Sequence, residues 1–165
     1  MKKLNFELII ASPYDRERLV VEINYENDIP VFIEQENLFF EAIFYHGEPE
    51  SIMLPLDDFI TILQDAKVLL AGNENEYRKL YNANRELFES TKENYIKHCK
   101  LITVPPIEEE KEKIVEILYN EQLIAKLHRE NGYSNVDFYY HRKNIIIPVE
   151  ALQYLLCEAR KLMIN

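Results

Sequence analysis

The chain can be laid over itself, and that constrains its folding more than any other feature. Residues 8–70 align with residues 101–163 with three small insertions or deletions. Leu8-Ile9 meets Leu101-Ile102, Pro13 meets Pro106, and Val21-Glu22-Ile23-Asn24-Tyr25 meets Val115-Glu116-Ile117-Leu118-Tyr119. Further on, Glu36-Asn37 meets Glu130-Asn131, Tyr45-His46 meets Tyr140-His141, and Pro55 meets Pro148. The tails agree as well, with Leu63, Ala66 and Leu69 over Leu156, Ala159 and Leu162. A match over this span implies two copies of one supersecondary unit.

Each copy reads as several strands followed by one helix. Residues 19–25 alternate, with Val21, Ile23 and Tyr25 on one face and Glu22, Asn24 and Glu26 on the other. Asn27-Asp28 supplies a turn, and residues 29–36 alternate again, Ile29, Val31 and Ile33 opposing Phe32, Glu34 and Glu36. A turn near Asn37 leads into a strand over 38–46; the same corner of the second copy is Asn131-Gly132, a strong hairpin signal. Both closing helices open with proline, at Pro55 and Pro148, which suits a first turn whose N–H groups lack helical partners. Between the copies, residues 74–98 contain no glycine or proline and predict one long connecting helix.

The expected fold is therefore α+β, a duplicated unit of antiparallel strands then a helix, related by a pseudo-twofold axis. Its parts are an acidic first unit over 1–71, the connecting helix over 72–99, and a second unit over 100–165, the two units sharing one core. Eight to ten strands and three helices result, with the sheets either joined edge to edge or packed separately.

Composition narrows the function classes. No apolar run reaches the roughly 18–20 residues that cross a bilayer. The Met1-Lys2-Lys3-Leu4-Asn5-Phe6-Glu7 start lacks a continuous apolar signal core, so a cytoplasmic protein is expected. Cys99 and Cys157, both placed on predicted helices, have no metal-type spacing and read as reduced thiols. The net charge is −10, of which residues 1–71 carry −9, with 14 acids against 5 bases. That asymmetry suggests a division of labour between the copies.

Catalytic patterns are missing. His46 and His141 fall in equivalent positions, but no His-x-x-x-His or Cys-x-x-Cys spacing supports a metal there. No serine lies in a Gly-x-Ser-x-Gly elbow, and three glycines build no phosphate-cradling loop. Asp57-Asp58 is accounted for by its place at a helix N-terminus. The expectation is a non-enzyme with no cofactor and no bound metal.

Binding is what remains. By strand parity, Glu22, Glu26, Phe32, Glu34 and Glu36 share one face, which Phe39, Glu41 and Tyr45 extend. Aromatics among carboxylates are typical of a protein interface, and the acids would steer a basic partner. The alternative is a single-stranded nucleic-acid binder, since aromatic sheets stack bases. The acids of the first face would repel phosphate, so nucleic acid is the less favoured partner. The second unit would complete the core and could support a homodimer.

Two resemblances bear on this. The architecture loosely resembles the tandem Pur-alpha repeat, strands then a helix, whose basic sheet binds single-stranded nucleic acid. The stretch from Leu8 to Ile23 with Pro55-Leu56-Asp57-Asp58-Phe59 resembles small bacterial immunity-type proteins of polymorphic and contact-dependent toxin systems. That likeness implies neutralisation of a partner, such as a basic toxin domain, by direct binding; it carries over no catalytic residues.

Overall fold

The computed structural model describes residues 5–12, 19–26, 28–35, 37–44, 51–105, 112–139 and 144–164. Among them the chain order is β1 (Phe6–Ala11), β2 (Val20–Tyr25), β3 (Asp28–Glu34), β4 (Glu41–Phe44), β5 (Ser51–Pro55) and α1 (Leu56–Ala71). Then come α2 (Glu74–Ala83), α3 (Arg85–Ile96), β6 (Cys99–Val104), β7 (Ile114–Tyr119), β8 (Gln122–Glu130), β9 (Tyr133–Tyr139), β10 (Ile145–Pro148) and α4 (Val149–Ile164). The protein is α+β, with two five-stranded antiparallel sheets ordered β1-β2-β3-β4-β10 and β5-β9-β8-β7-β6.

The sheets neither merge at their edges nor keep to their own halves. Each is four consecutive strands completed by the fifth strand of the other half: β10 joins the first sheet beside β4, and β5 joins the second beside β9. Both exchanged strands are sheet edges and both end in proline, whose missing N–H is harmless only where no neighbouring strand requires it. Pro55 itself remains extended at φ −65° and ψ 123° and caps α1, so the helix starts one residue later than the proline signal implied.

Strand pairing repeats between the sheets residue by residue. Phe6 faces Tyr25 as Cys99 faces Tyr119, and Tyr25 faces Asp28 as Tyr119 faces Gln122. Glu34 faces Glu41 as His128 faces Asn135, and Pro148 faces Glu41 as Pro55 faces Asn135. Both second strands also meet a bulge at the same place, past Ile23 and past Ile117. In the first sheet the extra residue lets Pro30 sit in a central strand, a position proline otherwise disrupts.

Tight turns hold these registers. Asn131 (φ 53°) and Gly132 (φ 81°) join Glu130 to Tyr133, and Asn120 (φ 50°) and Glu121 (φ 68°) join β7 to β8. Two consecutive positive φ values match the twist of the flanking strands. In the first half the β2–β3 turn falls one residue earlier than expected, at Glu26 (φ 50°), because Asp28 already pairs in β3. The strand expected over 38–46 is described only as Glu41–Phe44, and Leu38 lies in the preceding loop at φ 71°. The Tyr45-His46 and Tyr140-His141 correspondence lies outside the described residues.

The connector is two helices. Asn84 at φ −125° and ψ 27° ends α2 and precedes α3, and its side-chain amide donates to the Leu80 carbonyl at 3.0 Å. Asparagine competes with the helical backbone in this way, so the uninterrupted helix expected over 74–98 breaks here. Cys99 accordingly begins β6 and is not helical.

One apolar core joins both halves. Helix α1 rests on β1, β2 and β3, α4 rests on β6, β7, β8 and β10, and the two helices touch. Phe59 of α1 lies 6.3 Å from Phe6 and 5.5 Å from Phe138, and Phe138 stacks on Phe44 at 4.5 Å. Each such ring contributes about 1.5–3 kcal/mol by leaving water. Helices α1 and α4 lie on the core side of the sheets, while on the far side of the first sheet Ile43 and Glu34 are also covered.

Candidate binding surface

Pairing sets one cross-strand row on the helix-free face of the first sheet: Ile9, Glu22, Phe32, Ile43 and Ile146. The neighbouring positions add Glu7 opposite Asn24, and Glu34 opposite Glu41. Ile9 and Ile146 are exposed at 38% and 51%, Glu7 is exposed, and Glu22, Phe32 and Glu41 are half-buried. Ile43 and Glu34 are covered, at 1% and 4%. Glu41 accepts a hydrogen bond from the Asn37 amide at 3.1 Å.

The matching row of the second sheet is Ile102, Glu116, Lys126, Asp137 and Met53. Here the charges answer one another. Lys126 lies 3.6 Å from Glu116, and His128 pairs with Asp137 at 3.1 Å. The Asp137 hydrogen bond raises the pKa of His128 against the opposing effect of burial, with the Asp137 and Glu130 charges adding to it. Phe32 stands where the second sheet has Lys126, and Glu34 where it has His128. No ion pair among the described residues engages Glu7 or Glu22.

The structure therefore sorts the residues singled out by parity. Glu22, Phe32 and Glu41 share the helix-free face; Glu26 is exposed at the β2–β3 turn. Glu34 is on that face but buried. Phe39 packs against the core cluster and not on the open face, because the loop before β4 turns inward and buries Phe40 beside Tyr77 and Phe88. Glu36 and Tyr45 lie outside the described residues. Ile9 and Ile146, absent from the parity argument, join the face: the first belongs to a strand left out of it, and the second arrives by strand exchange.

A buried polar cluster elsewhere was not singled out at all. Lys67 of α1 is 1% exposed, and its ammonium donates to Glu150 Oε1 at 2.7 Å, Gln153 Oε1 at 2.8 Å and the Tyr77 hydroxyl at 2.9 Å. Three donors meet three acceptors, as a buried ammonium requires. Gln153 is held in turn by donating to Gln64 at 3.2 Å. Burial lowers the Lys67 pKa, Glu150 opposing, and burial followed by the Glu150 charge pushes the Tyr77 phenol well up. The sequence signal was a lysine within the stripe of Leu63, Ala66 and Leu70.

Other reactive groups are quiet. Cys99 and Cys157 are free, and burial pushes the Cys99 thiol up to about 11, away from the thiolate. No group of three or more His, Cys, Asp or Glu among the described residues forms a metal-binding set. His46 and His141 lie outside those residues. No helix among the described residues is long and apolar enough to cross a membrane. No protein-family model, curated protein or solved structure matches the chain.

Proposed function

We propose that the protein is a non-catalytic binding module whose first sheet docks a basic partner protein on its helix-free face. The observation that carries this reading is the contrast between matching strand faces. On the second sheet Glu116 meets Lys126 and Asp137 meets His128. On the first, Glu7 and Glu22 lie with Ile9, Phe32 and Ile146, and the lysine position is an aromatic. Carboxylates beside accessible apolar groups attract a cationic surface and offer it area to bury. An inhibitor of the immunity type, acting on a basic toxin domain, is the role this chemistry suits.

The test is quantitative affinity capture with the wild-type chain and a Glu22→Lys/Phe32→Ala variant, both checked for folding by circular dichroism. The expected result is one stoichiometric basic protein that the variant loses at least tenfold. Equal capture by the variant moves the site off this face. Retention of an oligonucleotide at low salt by the wild type would redirect the function to nucleic acid.

A further inference from the structure

Four strands are sheet edges, β1, β10, β5 and β6, and they are not equally guarded. β5 and β10 end in proline, and β6 carries Lys100, whose ammonium is tied to Glu121. Proline and lysine protect an edge, one by lacking an N–H and the other by resisting burial. β1 has neither. It reads Phe6-Glu7-Leu8-Ile9-Ile10-Ala11, with Glu7 in the place of Lys100. Ile9 is 38% exposed on the helix-free side of this strand, and Ile10 is 47% exposed on the other.

The ladder on its paired side shows which backbone groups β1 leaves outside. Asn5 accepts from the Glu26 N–H at 3.2 Å, and the β1–β2 register then runs without a shift from Phe6–Tyr25 to Ala11–Val20. Antiparallel ladders alternate, so Glu7, Ile9 and Ala11 direct their N–H and C=O groups to β2, and Phe6, Leu8 and Ile10 direct theirs outward. Among the described residues no strand lies on that side. We propose that this edge receives an extended, cationic segment of the partner protein, which adds antiparallel to β1 as one further strand of the first sheet. This mode of contact rests on the proposed function and extends it. Backbone hydrogen bonds to Leu8 and Ile10 hold the segment, and its side chains continue across the helix-free face from Ile9.

Charge and parity select the segment. An added strand meets Glu7 and Ile9 in non-hydrogen-bonded pairs, where side chains approach most closely. Glu7 is exposed, Glu22 lies across from Ile9, and no ion pair among the described residues engages either. The segment therefore carries a lysine or arginine opposite Glu7 and an apolar side chain two residues away, opposite Ile9. β1 of a second copy does not fit, since it holds no cation and brings another glutamate to the acidic half.

The probe is the acetylated, amidated peptide Thr-Lys-Thr-Val-Thr-Lys-Thr, titrated into the ¹⁵N-labelled full chain. Expected are saturable shifts and slowed hydrogen exchange at the Leu8 and Ile10 amides. N-methylation of the two threonines beside the valine removes the donors that would face β1, and should weaken binding about tenfold. Exchange of both lysines for glutamate should weaken it about as much. In the protein, Ile10→Pro deletes an outward N–H and leaves the β2 ladder whole, and should weaken binding about fivefold, with folding checked by circular dichroism. Silence at Leu8 and Ile10, indifference to N-methylation, or equal binding of the glutamate peptide overturns the proposal. Shifts confined to the Phe32 and Ile43 amides overturn it too, yet leave the helix-free face as the docking surface. Capture by the Glu22→Lys/Phe32→Ala variant judges that face separately.

Discussion

Lys67–Glu150 and Asp57–Arg160 are one contact made twice, at the same 2.7 Å, in opposite surroundings. The first pair has side chains 1% and 17% exposed, and two further acceptors complete the lysine's shell. The second stands at 68% for Asp57 and 37% for Arg160. Geometry is shared, so the energetic difference between them is set by water. In the covered pair, losing one partner leaves a charge without solvent; in the open pair solvent replaces whatever is lost.

The largest effect that can break this comparison is Glu150→Ala, which strands the Lys67 ammonium. It should cost about 3–5 kcal/mol in urea unfolding. Replacing both partners, Lys67→Met with Glu150→Leu, should recover most of that loss, since no charge remains to be desolvated. A double variant as unstable as the single one would show that packing, not charge, decides the site.

A smaller effect separates the two sheet faces. The Asp137 carboxylate holds His128 protonated to higher pH than in the unfolded chain, where 6.5 is ordinary. The folded state thus binds the extra proton, and the pair's contribution is whole below pH 6.5 and disappears as pH climbs through the raised pKa. Urea midpoints at acidic and alkaline pH should show this slope in wild type and lose it in Asp137→Asn. The first sheet, with Glu34 in the corresponding place, has no histidine there to supply such a dependence.

The β3–β4 and β8–β9 corners offer a third contrast. Leu38 is held at φ 71°, where a side chain is strained, so Leu38→Gly should raise stability by about 0.5–1 kcal/mol. Gly132 has φ 81° and open space around it, so Gly132→Ala should lower stability by about 1 kcal/mol through backbone conformation alone. Thermal unfolding of both variants decides whether opposite signs hold. The smallest effect is at the open ion pair, where Arg160→Ala should change stability by less than about 1 kcal/mol. A loss as large as that of Glu150→Ala would show that the two ends are energetically alike.

Strand alternation placed Val21, Ile23, Val31 and Ile33 in the core and Glu22 and Phe32 opposite, as the structure has them. The pattern could not tell which carboxylates are reachable. Glu22 and Glu34 alternate identically, yet Glu34 is 4% exposed, because parity gives the side of a sheet and says nothing about what covers it. Phe39 misled for a related reason: a strand parity was applied to a loop, where it has no meaning.

What the sequence determined by itself was local and periodic. Alternation made strands, Asn131-Gly132 made a two-residue hairpin, and prolines marked the entries to α1 and α4. Each depends on neighbours within a few residues, so the pattern is written where the structure occurs. Tertiary structure alone decided that β5 and β10 would change sheets and that α2 would cover one end of the α1–α4 pair. An edge strand carries the same alternation whichever sheet it completes, and Lys67 and Arg160 look alike along the chain. Their difference arises only when a helix from a distant segment excludes water from one and leaves the other open.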